Sequence, residues 1–176
     1  MSTYFRRIVG AFALDPLVYE DVEADDSATM QAGVTVLLSS VAAGVGAQGF
    51  GGQLWAVVPL TVVTLLAWAA WALLTFEVGS RLLPGARTHS DPGELLRTIG
   101  FAAAPGLLLV LGVLPGLAVP IFVMASLWML AAMIVAVRQA LDYDTTIHAV
   151  AVCLFGWGLA VSLVVIAGSF LAAPVG

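Results

Sequence analysis

Three long stretches of this 176-residue chain contain no Asp, Glu, Lys or Arg. They run over residues 27–76, 98–137 and 145–176, and they hold 50, 40 and 32 residues. An α-helix rises about 1.5 Å per residue, so about 20 mostly apolar residues cross the hydrocarbon core of a bilayer. The first two stretches are therefore long enough for two crossings each, and the third is long enough for one.

The composition excludes the main classes of water-soluble protein. Apolar residues make up 61% of the chain and charged residues 10%, whereas charged residues make up roughly 25% of an ordinary soluble domain. The net charge of −5 argues against nucleic-acid binding, which requires clusters of basic residues. We therefore exclude a soluble globular enzyme, a disordered chain and a basic nucleic-acid binder, and we expect membrane lipids to surround the protein.

Breaks in the apolar pattern divide the chain into five predicted helices. The glycine-rich segment 44–52 interrupts the first stretch and Leu114-Pro115-Gly116 interrupts the second, because glycine disfavours helix and Pro-Gly is typical of turns. The predicted spans are residues 29–47, 54–77, 94–113, 118–138 and 146–171. The expected fold class is an all-α polytopic membrane protein, in which a bundle of five transmembrane helices (27–176) follows a short N-terminal amphipathic segment (1–26).

Acidic residues mark the starts of helices on one side of the predicted bundle. Asp91 is a predicted N-cap, followed by Pro92 at the first helical position and Glu94 at the third, which is a capping-box pattern. Asp144 precedes the last predicted helix. Carboxylates at these positions accept hydrogen bonds from free backbone N–H groups and suit the positive end of the helix dipole. We therefore interpret them as structural caps rather than as catalytic groups.

The arginines predict how the chain is oriented in the membrane. Positively charged residues favour the cytoplasmic side, and acidic residues count little in this rule. All of the arginines fall on one side of the five predicted spans: Arg6, Arg7, Arg81, Arg87, Arg97 and Arg138. We therefore expect a multi-pass protein of the cell membrane, with its N-terminus in the cytoplasm and its C-terminus outside.

The same side carries the other charges of the chain. Glu77 and Arg81 lie four residues apart at the end of the second predicted span, where we expect them to neutralise each other. Arg97 and Arg138 are expected at the same membrane interface. The acidic run over residues 20–26 is open to two interpretations: a solvated surface, or a docking patch for a basic partner.

The N-terminal segment has one apolar helical face. Its apolar residues follow the spacing i, i+3, i+4, i+7: Phe5, Ile8, Val9 and Phe12. This spacing predicts an amphipathic helix. Two placements fit the pattern, because such a helix can lie in the headgroup layer of the membrane or pack against the helix bundle.

The predicted spans contain no charged residue in their middle. Proton relays and ion-coupled transporters usually need such groups, so the pattern disfavours a pump or a proton-coupled carrier. Pro105 leaves a backbone carbonyl without its helical donor, and we expect a kink there. Trp128 lies near mid-bilayer, so we expect its indole to pack inside the bundle and its N–H to bond to Ser or backbone.

No motif in the sequence indicates catalysis, a cofactor or a metal. Residues 44–49 match the glycine pattern of dinucleotide-binding loops, but they follow a predicted membrane helix rather than a strand. Asp144 and His148 share one helical face near Cys153, yet a metal site needs three or four converging ligands. The sequence contains no hydrolase or metalloprotease motif. We therefore expect a protein that is not an enzyme and that binds no cofactor and no metal.

The segment Gly100-Phe101-Ala102-Ala103-Ala104-Pro105 carries the most specific pattern in the chain. It resembles the motif G-Y-x-L-x-P of the Yip1 family, with Phe for Tyr and Ala for Leu. Residues 94–99 and 138–141 are also similar to that family, in its compact prokaryotic form, and the resemblance covers nearly the whole chain. The second eukaryotic motif, D-L-Y-G-P, is absent, and Asp15-Pro16 does not replace it.

The resemblance implies a membrane protein without catalytic residues. Eukaryotic members of the Yip1 family act in vesicle traffic, bind small prenylated GTPases and associate with related membrane proteins. We therefore expect a protein that acts through membrane-protein partners, through self-association or through organisation of the bilayer. The alternative is a small permease or channel subunit for a neutral or lipidic solute. A polar stripe through the bundle favours this alternative, and a dry core favours the first function.

Overall fold

The computed structural model describes residues 2–48, 54–83, 91–156 and 158. The described residues form seven α-helices: α1 (Thr3–Phe12), α2 (Pro16–Glu23), α3 (Ala28–Gln48), α4 (Leu54–Glu77), α5 (Pro92–Ala102), α6 (Ala118–Ala140) and α7 (Thr146–Gly156). A π-helical turn, Val78–Leu82, continues α4, and a 3₁₀ helix, Ala104–Val113, continues α5. The described part of the chain is thus helical throughout and contains no strand.

Four of the helical segments are long and apolar enough to cross a membrane: Ala28–Gln48, Val57–Leu82, Pro92–Val113 and Ala118–Ala140. They correspond to the first four predicted spans, which are confirmed as apolar helices of spanning length. α7 is the start of the fifth predicted span, 146–171. The rest of that span lies outside the described residues, apart from residue 158.

The turn between the 3₁₀ helix and α6 forms where the Pro-Gly pair predicts it. The Leu117 N–H donates to the Leu114 carbonyl at 3.1 Å, and Gly116 has a φ of +79°. Pro115 therefore takes the second position of a type II turn and Gly116 the third, which requires a positive φ. This predicted break is confirmed.

α3 lies at the centre of the bundle and contacts α4, α5 and the 3₁₀ helix. Its buried face includes small residues spaced alternately four and three apart: Ala28, Ala32, Thr35, Ser39, Ala42 and Gly46. Small side chains on one side of a helix let neighbouring backbones approach closely. α3 continues through the first glycines of the segment 44–52 and ends at Gln48, one residue beyond the predicted end of the span at residue 47. Residues 49–53 lie outside the described chain.

α3 and the 3₁₀ helix approach each other closely enough for their backbones to touch. A Cβ atom added to Gly46 would overlap the Leu109 carbonyl, and one added to Gly112 would lie 3.1 Å from the Gly46 carbonyl oxygen. A Cβ atom on Gly44 would lie 2.7 Å from the Thr61 hydroxyl of α4. Tertiary packing therefore outweighs the low helix propensity of glycine and extends α3.

Pro105 changes the type of helix in the third span. α5 ends just before it, and the chain continues as a 3₁₀ helix of 10 residues, because proline lacks an N–H donor and clashes with the preceding α-helical turn. The Ala103 carbonyl accepts from the Ser39 hydroxyl at 2.7 Å and from the Gly106 N–H at 2.9 Å. The expected disturbance at Pro105 is therefore a change from α to 3₁₀ geometry, which Ser39 stabilises.

α1 and α2 form an antiparallel hairpin that packs against the bundle. Gly10 of α1 faces Val18 of α2 so closely that an added Cβ atom would overlap the valine side chain. Further from the turn, Arg7 pairs with Asp21. The hairpin contacts α5, the 3₁₀ helix and α6. Of the two predicted placements of the N-terminal segment, the one packed against the bundle is present in the structure.

Candidate functional site: the charged end of the bundle

Contacts between distant parts of the chain bring four charged segments together at one end of the bundle. These segments are residues 20–28, 77–83, 91–97 and 138–148, and we call this surface the charged end. Hydrogen bonds join the segments in pairs: Gln139 to Glu20, Arg97 to Glu23 and Tyr143 to Gly79. The opposite end of the described bundle carries no charged residue. The charged groups of the described bundle are therefore concentrated towards the charged end.

Arg7 ties the hairpin to the start of α3. Its side chain is buried and donates three hydrogen bonds: from Nε to Asp21 Oδ2 at 3.0 Å, from Nη2 to Asp25 Oδ2 at 2.7 Å and from Nη1 to Gln31 Oε1 at 3.1 Å. A buried guanidinium needs such partners, because an unpaired charge away from water is costly. The three bonds therefore fix the hairpin in one position on the bundle.

The acidic run over residues 20–26 is largely paired within the protein. Four of its five acidic residues have a partner: Asp21 and Asp25 on Arg7, Asp26 on Arg97, and Glu20 on Gln139. Hydrogen bonds from Ser27 and from Arg7 lower the pKa of Asp25 to about 2. The run therefore connects the hairpin to the bundle, a role that neither sequence interpretation of it includes.

Arg97 holds the end of α2 against α5. Its Nη2 donates to the Glu23 carbonyl at 2.6 Å, and its Nη1 lies 2.9 Å from Asp26 Oδ1. Its Nε is buried and has no hydrogen-bond partner among the described residues. The sequence predicts Arg97 only as a charge at the membrane interface. In the structure its side chain is buried and links α2 to α5.

Glu23 faces other carboxylates. Burial, followed by the negative charges of Glu94, Asp142 and Glu20, raises its pKa to about 7, and Arg97 opposes this rise as the smallest influence. The four carboxylates come from α2, α5 and the turn after α6, and we call them the acidic surface. Because this surface has more negative than positive charge, it complements a basic partner.

Tyr143 joins the end of α4 to the turn between α6 and α7. Its hydroxyl lies 2.9 Å from the Gly79 carbonyl oxygen and 2.8 Å from the Leu83 carbonyl oxygen, so it can donate to either. Burial raises the pKa of this hydroxyl to about 12. The Tyr143 ring is 5.8 Å from the His148 ring, whose Nδ1 lies 2.7 Å from the Thr145 hydroxyl. The π-helical end of α4 is thereby fixed to the turn between α6 and α7.

The two predicted helix caps have different outcomes. Asp91 is the N-cap of α5 and accepts from the Gly93 N–H at 3.1 Å, with Glu94 in the first helical turn. Asp144 lies two residues before the first residue of α7, Thr146, and its role as a cap stays a prediction.

The predicted interface charges lie at the charged end. Arg81 Nε is 3.1 Å from Glu77 Oε2, so the expected ion pair is confirmed, and both side chains are exposed. Arg138 is exposed in the last turn of α6, where a cation suits the negative end of the helix dipole. The Arg138 carbonyl accepts from the Tyr143 N–H at 3.0 Å.

The segment that resembles the Yip1 motif lies in the core below the charged end. A Cβ atom on Gly100 would lie 2.7 Å from Ala32 Cβ, so α3 and α5 are in direct backbone contact there. Phe101 is fully buried, and its ring makes an edge contact with Tyr4 of α1 at 6.1 Å. Together with Pro105, these residues join α3, the hairpin and the 3₁₀ helix by packing.

The residues considered as metal ligands do not form a site. Within residues 2–48, 54–83 and 91–156, no group of three or more His, Cys, Asp and Glu side chains could hold a metal ion. Cys153 is completely buried, whereas Asp144 and His148 are exposed.

The hydrogen bonds that Arg7, Gln139 and Tyr143 make at the charged end are not among the predictions from the sequence. The signal for Arg7 is its position, because residues 7 and 21 are equally far from residue 14 and a tight turn there brings them together. Gln139 and Tyr143 have no comparable signal, since their partners are distant in the sequence.

Comparison of the chain with family models, with curated proteins and with solved structures gives no match. The resemblance to the Yip1 family therefore stays a prediction from the motif residues.

Proposed function

We propose that this chain is a five-span, non-catalytic membrane protein of the Yip1 type, which recognises membrane-protein partners at the charged end. The observation that carries the proposal is the acidic surface, a polar surface fixed on an otherwise apolar bundle. A basic segment of a partner complements this surface. In this proposal the charged end faces the cytoplasm, as the arginines predict, and the C-terminus emerges on the other side.

The apolar interior of the bundle favours a scaffold function over transport. A mid-span cavity between α3, α4, the 3₁₀ helix and α6 is surrounded almost entirely by apolar atoms. Two of the three hydroxyls that line it donate to backbone carbonyls, Ser39 to Ala103 at 2.7 Å and Thr64 to Leu60 at 2.8 Å. These hydroxyls are therefore engaged in structure, and the dry core favours an adaptor over a transporter.

Site-specific photo-crosslinking of the full-length chain in native membranes tests the proposal. Crosslinkers at Ala24 and Leu96, which are exposed beside the acidic surface, should capture a discrete protein. Matched crosslinkers at Trp55 and Val119, which are exposed towards the opposite end, should capture lipid.

The capture must also depend on charge. The double variant Glu20→Gln with Glu94→Gln should weaken it several-fold, and so should high salt, because salt screens exposed charges. Self-adducts and lipid at all four positions would contradict the adaptor function. Transport of a solute by the purified protein alone would also contradict it.

A second candidate, a small permease for a neutral or lipidic solute, has one observation in its favour. Thr61 Oγ1, Trp71 Nε1 and Thr75 Oγ1 of α4 are buried without a hydrogen-bond partner among the described residues. Their spacing of ten and four residues places them on one side of the helix. An unpaired polar group inside a membrane costs several kcal/mol. Trp71 and Thr75 lie about one helical turn apart, so one small polar molecule would satisfy both, whereas Thr61 lies about 15 Å further along the helix.

Liposomes that contain only the purified protein test this candidate. Entry of glycerol or urea that falls in Thr75→Val would establish it. Thr64→Val is the matched control, because the Thr64 hydroxyl already donates to a carbonyl and its removal should leave the flux unchanged. Flux equal to that of protein-free liposomes excludes the permease.

A further inference from the structure

The turn of the α1–α2 hairpin lies far from the end of α6. Trp128 Nε1 donates to the Phe12 carbonyl at 2.9 Å, and the two rings make an edge contact at 6.1 Å. Trp128 precedes Arg138 by ten residues, which is about 15 Å along a helix. Half of the hydrocarbon core is also about 15 Å thick. With α6 across the membrane, the last residue of α1 therefore reaches the hydrocarbon core.

The open end of the hairpin lies at the level of the charged end. Gln139, next to Arg138 in the last turn of α6, donates to Glu20 at 2.8 Å. Arg7 turns its charge towards Asp21 and Asp25 and away from the turn. Apart from Asp15 at the turn, the charged groups of the hairpin are thus gathered towards its open end.

The backbone N–H groups at the turn have hydrogen-bond partners within the protein. The N–H groups of Ala13, Leu14 and Asp15 donate to carbonyls of α1 at 2.9, 3.2 and 3.0 Å, and the Phe12 carbonyl accepts from Trp128. The Asp15 carboxylate accepts from the Leu17 N–H at the positive end of α2. Irregular backbone in a membrane needs such internal partners, because lipid tails supply none.

The outer face of the hairpin is apolar. Phe5 is 52% exposed, Val9 46% and Leu17 70%. Phe12 and Trp128 join this face to the exposed side of α6, where Leu127 is 63% exposed at mid-span. The side of a spanning helix that faces away from the bundle contacts lipid, so the hairpin continues a surface that is already covered by acyl chains.

We infer that α1 and α2 form a re-entrant hairpin that inserts into the leaflet at the charged end, with Phe5, Val9 and Leu17 in contact with lipid acyl chains. The lipid of one leaflet covers the outer face of the hairpin, and only the open end of the hairpin contacts water. This inference does not rest on the adaptor function, because it concerns the outer face of the hairpin and not the acidic surface.

Spin labels on the full-length protein in phosphatidylcholine–phosphatidylglycerol liposomes test the insertion. Cys153 is the only cysteine and is buried, so Cys153→Ala gives a background for single labels. Val9→Cys and Leu17→Cys report on the outer face near the turn, and Thr3→Cys and Ala24→Cys report on the open end. Leu127→Cys is the reference for lipid contact.

Dissolved oxygen concentrates in lipid, whereas a water-soluble nickel chelate stays outside. We expect labels at residues 9 and 17 to match the label at residue 127, with an oxygen-to-nickel accessibility ratio several-fold above that at residues 3 and 24. Access of nickel at residue 9 or 17 equal to that at residue 3 would overturn the inference. Protection from both reagents would also overturn it, because the face would then be covered by protein. Thermal unfolding of each labelled variant confirms that it is folded.

Discussion

The charges of Arg7 and Arg97, which are both buried, are balanced in different ways. Arg7 has two carboxylates and a side-chain amide within 3.1 Å. Arg97 has a single carboxylate, on the highly exposed Asp26, and a backbone carbonyl. Because loss of one member of a buried charged network costs more than the loss of an exposed pair, the attachment of the hairpin depends chiefly on Arg7.

Substitution of Arg7 by glutamine removes this cation and keeps a polar side chain. We expect the free energy of unfolding to fall by about 2 kcal/mol, because charged hydrogen bonds are lost while water partly screens the aspartates. SDS titration of the protein in detergent micelles measures this change. Arg6→Gln is the matched control, since Arg6 is 63% exposed and contacts Asp21 at 3.4 Å, and we expect a change below about 0.5 kcal/mol. Equal effects of the two substitutions would contradict this role.

The raised pKa of Glu23 makes stability depend on pH near neutrality. The folded protein holds the Glu23 proton up to about pH 7, whereas the unfolded chain releases it near its ordinary value of 4.5. Stability should therefore be higher below pH 4.5 and should fall as pH rises to about 7. Unfolding measured across this range should show a negative slope, and Glu23→Gln should reduce it. The slope should persist in Glu77→Gln, which removes an exposed carboxylate paired with Arg81.

The contact between α3 and the 3₁₀ helix leaves no room for a side chain. Gly46→Ala would push a methyl group into the Leu109 carbonyl, and we expect it to destabilise the protein by about 1–3 kcal/mol. Gly33 lies in the same helix, and an added Cβ atom there meets nothing within 4 Å. Gly33→Ala should therefore be neutral or stabilise by up to about 1 kcal/mol. Thermal unfolding compares the two, and similar gains in stability at both positions would show that helix propensity rather than packing decides.

Elements of this fold could be predicted where one local rule decides them. The turn at Pro115-Gly116 and the cap at Asp91 each follow from a few neighbouring residues. The 3₁₀ helix after Pro105 could not be predicted, because proline only forbids the α-helix and the Ser39 hydroxyl of another helix stabilises the replacement. The predicted span 29–47 includes Gly46, but the contact of Gly46 with the Leu109 carbonyl, 63 residues further along the chain, could not be predicted.

The arrangement of the charged end depends on contacts between residues far apart in the chain. The distribution of arginines predicts which charges share one side of the membrane. It cannot predict that Arg97 holds a carbonyl 74 residues earlier, or that the Trp128 indole binds a carbonyl 116 residues earlier. Such contacts follow from how the spans pack, and small-residue spacings that set this packing recur by chance in a chain rich in alanine and glycine.

The number of spans fixes the side on which the C-terminus emerges. The four spanning-length helices and the fifth predicted span place the two termini on opposite sides, whereas four spans alone would place them on the same side. Ser2→Cys and Gly176→Cys in the Cys153→Ala background distinguish these cases with a membrane-impermeant maleimide.

We expect Ser2→Cys to react only in inside-out vesicles and Gly176→Cys only in right-side-out vesicles, because every arginine lies on the side of the N-terminus. Leu117→Cys, exposed in the turn before α6 at the uncharged end, is the control for the outer side. Reaction of both terminal variants from one side would contradict the fifth span. Reaction of each from the side opposite to the expected one would keep five spans and reverse the orientation, so the charged end would then face outwards and could not bind a cytoplasmic partner.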